Sequence, residues 1–399
     1  MPHARVRYLQ ALIQQSLRHS AAVGILGQRQ TGKTTLACAL AGAGYITLDD
    51  PEHLQAAQLS PKIFLSWAFH PFAIDECQLA PELFPALKLH VQNHPRKGQF
   101  LLTGSVRFSA RKAIRESLTG RIQILELHPM TLAELNSRPV PDLISEMGLE
   151  FGKFQKKVRA RARALSLTTA MRYLETGGLP GICFLRDEAG RRPRFSSHLD
   201  TILGRDIKMV SETDLSVPRI RVLLATLARQ QGQPIALTEL SRQARISTPA
   251  LRKLLHALEA LFLIRRVLPM GDIKKESFYL EDQGTASYLQ PPVSDSDRML
   301  RLAFSQLYPY LDCHDPGGVM TYRYETRNGA CVPLVFESRG VTLGVLPIAE
   351  EAADAKALAS ARSFLRFRRN AHVLILTRGT ECIQWSESVR SAPIQGVLG

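Results

Sequence analysis

Gly27-Gln28-Arg29-Gln30-Thr31-Gly32-Lys33-Thr34 constrains this chain more than any other stretch, because it fits G-x-x-x-x-G-K-[ST], a loop that wraps phosphate. Two glycines let the backbone curl so that its N–H groups point inward at anionic oxygens. Lys33 reaches the β- and γ-phosphates as a point charge, and the Thr34 hydroxyl ligates Mg²⁺. The helix that follows offers its positive end to the anion. The flanks agree with such a loop. Ala22-Val23-Gly24-Ile25-Leu26 reads as a short buried strand, and Thr35-Leu36-Ala37-Cys38-Ala39-Leu40 as a helix. Gly27 to Thr34, with Thr35 beyond them, are the candidate nucleotide-binding residues.

A second apolar run, Pro71-Phe72-Ala73-Ile74, ends in Asp75-Glu76. Parallel strands buried on both faces read as continuous apolar runs, and ligands gather at their carboxyl ends. Asp75 there is a candidate to hold Mg²⁺ through water, and Glu76 to polarise an attacking water. A third run, Phe100-Leu101-Leu102, turns abruptly polar at Thr103-Gly104-Ser105. Thr103 or Ser105 can bond a γ-phosphate or the lytic water, or merely cap a turn. Arg121 precedes the strand-like Ile122-Gln123-Ile124-Leu125. It is either a charge for the transition state, in cis or from a neighbouring subunit, or one half of a surface ion pair.

These segments together resemble the prokaryotic AAA-superfamily P-loop ATPases that carry a winged helix and an uncharacterised, endonuclease-like C-terminal domain. The resemblance rests on Gly27 to Thr34, Tyr45 to Pro51, Ile74 to Gln78 running on to Leu83, and Leu102 to Ser105. It continues through Leu118 to Arg121, Gly177-Gly178-Leu179-Pro180 and Arg205-Asp206-Ile207. It covers roughly the first half of the chain, in the family's order. It implies ATP binding with Mg²⁺ and ATPase activity. ATP rather than GTP rests on this likeness alone, since no Asn-Lys-x-Asp-type guanine-reading motif is present.

Family members often carry Glu-Val-Asp on one late strand and Glu-x-Lys on the next, the metal signature of restriction-like nucleases. Here the aligned strands read Cys331-Val332-Pro333-Leu334-Val335-Phe336 and Leu343-Gly344-Val345-Leu346-Pro347-Ile348. Cysteine and proline stand where acids belong. Glu337, Glu350, Glu351 and Lys356 lie nearby at spacings that do not rebuild the site. The expectation is a degenerate endonuclease-like domain without nuclease activity, kept as a scaffold or binding surface.

Between residues 219 and 281 the pattern is that of a winged helix-turn-helix. Ile220 to Arg229 has helical spacing, Leu237 to Ala244 is a short second helix with Thr238 as its cap, and Arg245-Ile246 is a tight turn. Ser247 caps a third helix opening Thr248-Pro249, where proline is tolerated. The strands Phe262 to Val267 and Ser277 to Leu280 flank a wing at Gly271 to Lys275. In DNA-binding proteins of this shape the early residues of the third helix meet base edges and the wing meets phosphates. Ser247, Thr248, Arg252, Lys253, Lys274 and Lys275 are therefore nucleic-acid candidates. In ATPases such modules also serve as lids or docking surfaces.

Lys and Arg total 51 against 36 Asp and Glu, a net charge of +15, which favours polyanion partners. Two basic clusters stand out, Lys153 to Arg163 with helix-favouring residues, and Arg191-Arg192-Pro193-Arg194 in a Gly/Pro-rich loop. Each can touch phosphate or be a solvated face. The six cysteines lack zinc spacing and read as reduced thiols. No apolar stretch is long enough for a membrane span or a secretory signal, so the expected compartment is the cytoplasm. The expected organisation is a P-loop AAA-type ATPase domain over 1–140 and a helical lid or linker over 141–215. A winged helix over 216–290 and an α/β endonuclease-like domain over 291–399 complete it. Partners are ATP, double-stranded DNA through the winged helix, or a protein through the C-terminal domain, with a homo-oligomer left open.

Overall fold

The computed structural model describes residues 5–66, 70–108, 122–213 and 215–399. Their strands form a five-stranded and an eight-stranded sheet. The first contains β1 (Ala22–Leu26), β2 (Tyr45–Thr47), β3 (Phe72–Asp75), β4 (Phe100–Gly104) and β5 (Ile122–Glu126), ordered β2-β3-β4-β1-β5. All pairings are parallel. Alternate residues feed opposite cores, as the two-residue period of a strand requires. Ala22, Leu26, Phe72, Ile74, Phe100 and Leu102 pack on one face with α3 (Pro51–Leu59), α4 (Pro61–Phe64) and α5 (Leu83–Asn93). Val23, Ile25, Ala73, Leu101 and Leu125 pack on the other with α1 (Leu9–Leu17) and α2 (Lys33–Ala41). The α/β architecture with helices on both faces is the one the apolar runs predict.

The helices of 141–215, expected as a helical lid or linker, are divided between two cores. Helices α6 (Leu132–Leu135), α7 (Leu143–Met147), α8 (Phe151–Ala164) and α9 (Leu167–Thr176) share a core with the C-terminal sheet. Gly396 marks how closely α8 meets the C-terminal helix, since a Cβ there would lie 2.7 Å from the Val158 carbonyl. Helix α10 (Glu188–Gly204) and the 3-10 turn Asp206–Met209 join a different core through Leu199, Ile202, Leu203 and Ile207. That core includes α11 (Val217–Arg229), α12 (Leu237–Ala244) and α13 (Thr248–Ala260), followed by the antiparallel hairpin β6 (Ile264–Gly271) and β7 (Ser277–Leu280). Leu251, Leu254, Leu255, Leu258 and Leu261 are all buried there, as their spacing predicts.

The hairpin strand runs longer than expected, to Gly271. Its second half, Leu268 to Gly271, pairs in parallel with β8 (Met320–Glu325). The hairpin is thus the edge of the eight-stranded sheet, ordered β12-β13-β11-β10-β9-β8-β6-β7. The remaining strands are β9 (Cys331–Ser338), β10 (Val341–Pro347), β11 (Ala371–Thr377), β12 (Ile383–Ser386) and β13 (Val389–Pro393). Helices α14 (Gln283–Leu289), α15 (Asp295–His314), α16 (Ala355–Phe367) and α17 (Ile394–Leu398) complete this half. Among the described residues no helix is long and apolar enough to cross a membrane.

A buried charge cluster joins the parts. Arg265 of β6 reaches Glu126 at the end of β5, meets Glu281 at 2.6 Å and donates to the Tyr308 hydroxyl of α15 at 2.6 Å. Arg107 meets Glu126 at 3.0 Å, and His128 bonds Asp312 at 2.9 Å. Burial alone pushes the Glu126 carboxyl up, but Arg107, Arg265 and His128 outweigh it and hold it down to about 2. Glu126, His128 and Glu281 are close enough to ligate a metal. Arg265 already lies against both carboxylates and supplies the cation.

Candidate nucleotide site

The loop after β1 sits between the carboxyl ends of β4 and β5 and runs into α2. Gly27 has no room for a side chain, because a Cβ would collide with the Leu127 carbonyl. Gly32 holds φ +98° at the N-terminal cap of α2, a left-handed conformation that suits glycine. Lys33 is 5% exposed. Its ammonium turns back onto the loop and donates to the Gly27 and Gln28 carbonyls at 2.9 and 2.8 Å. Burial pulls its pKa down to about 8 against the opposing pull of Glu76 and Asp75. The Thr31 hydroxyl closes the turn on the Gln28 carbonyl at 2.9 Å. Gln30 and Thr35 are exposed.

Asp75 ends β3, buried, and its carboxylate gathers three hydroxyls. Thr34 and Tyr45 each donate to Oδ2 at 2.8 Å, and Thr103 donates to Oδ1. The two residues expected at the Mg²⁺ position therefore touch. Glu76 follows in a left-handed turn, φ +53°, its N–H held by Thr103 Oγ1 at 3.2 Å. Its carboxylate accepts from Gln78 and from Ser105, the latter at 3.3 Å. Thr103 and Ser105 thus each serve a carboxylate, a use the sequence reading did not include. Tyr45 and Gln78 belong to segments that carry the family resemblance, which assigns them no role. Their signal was position, at one strand's start and just after another's end.

Three further groups reach the loop from outside its own sheet. Arg7 donates to the Thr31 carbonyl at 2.6 Å and the His128 carbonyl at 2.7 Å, and pairs with Glu134 at 2.7 Å. Pro180 of the Gly177-to-Pro180 motif lies beside Gly32, 3.8 Å from where its Cβ would be. From the α10 side, His198 meets the Gln28 amide at 3.2 Å and Asp206 meets Arg29 at 3.5 Å. Pro180 and Asp206 lie in segments that carry the family resemblance, whereas Arg7 and His198 lie in none.

The other candidates lie elsewhere. Leu118 to Arg121 falls outside the described residues. Ser247 occupies the cap of α13 without a side-chain bond, and Ala236 rather than Thr238 caps α12. Ser247, Arg252, Lys253, Lys274 and Lys275 are exposed, Thr248 half-buried, all far along the chain from the phosphate loop. Lys274 donates to the Gly271 carbonyl at 2.6 Å, within the hairpin loop. The arginine cluster 191–194 is helical, inside α10, because Phe195, Leu199 and Ile202 bury one helical face despite Pro193. Arg191 is buried against the Leu185 and Arg186 carbonyls, and Arg192 stacks on Tyr288. The Lys153-to-Arg163 run lies on α8, where Lys157 and Arg161 meet Glu146 at 3.6 and 2.7 Å. On the late strands, Glu337 pairs with Arg368 at 2.8 Å, while Glu350, Glu351 and Lys356 are exposed.

Residues 19–136 match the family model of an AAA domain, and residues 168–291 match a domain of unknown function (DUF8612). Uncharacterized proteins of Mycobacterium bovis and Mycobacterium tuberculosis are each 26% identical over 282 residues, 69% of this chain and 57% of theirs. The chain thus spans a little over half the length of these curated relatives. A Walker-type ATPase of Pyrococcus abyssi is 16% identical with a TM-score of 0.37, covering 70% of this chain and 94% of that one. AMPPCP-bound DnaA from Aquifex aeolicus is 14% identical with a TM-score of 0.24, covering 62% and 86%. The matched stretch, the phosphate loop and the parallel sheet agree, and residues 19–136 form an AAA-type P-loop ATPase domain that brings Thr34, Asp75 and Glu76 to one end of the sheet.

Proposed function

We propose that this chain binds ATP with Mg²⁺ at the Gly27-to-Thr34 loop, hydrolyses it to ADP and phosphate, and uses its nucleotide state to regulate contact with nucleic acid. The Thr34–Asp75 contact at 2.8 Å, with Glu76 next in line, carries this reading. Thr34 and Asp75 offer the oxygen donors that Mg²⁺ prefers, and the ion would neutralise phosphate charge there. The loop N–H groups and Lys33 bind the phosphates, Lys33 exchanging its two carbonyls for phosphate oxygens. Asp75 keeps Thr34, Thr103 and Tyr45 oriented. Glu76, fixed by Ser105 and Gln78, accepts the proton of the attacking water.

The nucleic-acid arm is supported by the +15 charge and by exposed Arg252, Lys253, Lys274 and Lys275 on the helix–hairpin module. The second reading is a nucleotide-gated scaffold that binds a protein through the C-terminal domain and has no nuclease activity. Cys331 and Pro333 on β9 favour it, since neither is a hard ligand for a catalytic divalent cation. The deciding experiment is ATP turnover with and without duplex DNA for wild type, Lys33→Ala and Glu76→Gln. Turnover that DNA stimulates and both variants lose supports the first reading. ATP binding without turnover or a DNA response favours the second.

A further inference from the structure

Gln28 and Arg29, the second and third residues of the phosphate loop, are gripped by a segment that lies outside the AAA-matched stretch. Gln28 Nε2 donates to His198 Nε2 at 3.2 Å, which leaves the imidazole proton on Nδ1. Arg29 Nη1 stands 3.5 Å from Asp206 Oδ2, long for a hydrogen bond and thus a charge contact. Gln28, His198 and Asp206 are each 1–2% exposed. Yet Gln28 Oε1, His198 Nδ1 and Asp206 Oδ1 have no hydrogen-bond partner. Unpaired polar atoms are costly when buried, so these residues hold the loop with hydrogen-bonding capacity left over.

Charge locates what the site faces. Lys33 feels Glu76, Asp75, Arg29 and Asp206, and Asp206 in turn feels Arg29, Glu76, Arg205 and Lys33. Arg29, on the phosphate loop itself, and Asp206 therefore lie within electrostatic reach of Lys33 and Glu76, the groups that flank a terminal phosphate in a loop of this kind. Arg29 is the more exposed member, its side chain 24% exposed. Behind Asp206, the segment packs Leu199, Ile202, Leu203 and Ile207 into the core of the helix–hairpin module.

We infer that Asp206 is a positioning residue that senses the γ-phosphate through Arg29. Asp206 holds Arg29 when no γ-phosphate is present, and ATP, but not ADP, draws Arg29 off it. Residues 188–209 then lose their ionic tie to the loop and pass the change to the helix–hairpin module. This rests on the ATP-binding reading above. It names a third domain contribution to the site, made in cis, and the element whose equilibrium ATP biases.

The test measures binding of ADP and of a non-hydrolysable ATP analogue to the full chain, with hydrogen exchange over residues 188–209. Asp206→Asn should tighten the analogue by at least about fivefold and leave ADP within about twofold. Arg29→Gln should weaken the analogue alone, and the double variant should match Arg29→Gln. In wild type, the analogue but not ADP should speed exchange in 188–209, a readout that needs no variant. Equal shifts for both nucleotides in Asp206→Asn, or identical exchange with analogue and ADP, overturn the inference while leaving ATP binding intact. Wild type that binds neither nucleotide overturns the ATP-binding reading itself.

Discussion

Two buried clusters of charge lie on neighbouring strands of one sheet. Leu26, the last residue before the phosphate loop, is in register with Glu126 of the inter-domain cluster. Around the loop, Asp75 and Glu76 are met by hydroxyls and an amide, and Lys33 by carbonyls. At the joint, Glu126 and Glu281 face arginine, and Asp312 faces His128. Neutral partners, or an ion pair as long as the 3.5 Å Arg29–Asp206 contact, leave a charge able to exchange them for a ligand, whereas the close ionic partners of the joint hold its charges to one another. Buried charge by itself therefore does not mark a site; the type of partner does.

The largest effect should fall on Glu76→Gln, which keeps the shape and removes the proton acceptor. Turnover should drop about 10²- to 10⁴-fold with ATP affinity little changed. Retained turnover in a steady-state assay would remove Glu76 from the chemistry. At the joint, Arg265→Ala leaves Glu126 and Glu281 without their cation and should cost about 3–5 kcal/mol in chemical denaturation. A loss well under 1 kcal/mol would mean that the joint is not closed in the sense argued.

A smaller effect is set by pH. In the proposed function Lys33 binds phosphate as the ammonium, and burial pulls its pKa down to about 8. Above that pH, binding must take up a proton, so ATP affinity should fall by up to about tenfold per pH unit. Lys33→Arg should flatten the dependence, because guanidinium keeps its charge. A flat wild-type profile from pH 7 to 9 in calorimetry would show that the lysine is not the titrating group. The smallest effect is on nucleic acid. Arg252→Ala or Lys275→Ala should each reduce the salt slope of duplex binding by about one, with no change in ATP turnover without DNA. Slopes equal to wild type would move the DNA contact elsewhere or abolish it.

The site's first layer was legible because it is local. The loop spacing, the Asp75-Glu76 step and the Thr103 and Ser105 positions each follow directly from an apolar run. The second layer was not, because its members lie far apart in the chain. Arg7 reaches Thr31 from upstream, while His198 and Asp206 arrive from more than a hundred residues downstream. The arginines at 191–194 looked like a loop because glycine and proline dominate local preference. Burial of Phe195 and Leu199 overrode it.

Sequence by itself determined the parallel sheet, the phosphate loop and the polar residues at the strand ends, since backbone geometry and burial write those into short segments. Only the tertiary structure decided which cores the helices between 143 and 209 join, that β6 pairs with β8, and that Glu126 meets arginine while Asp75 meets hydroxyls. A charge's partner is set by packing between distant elements, and packing has no local signature.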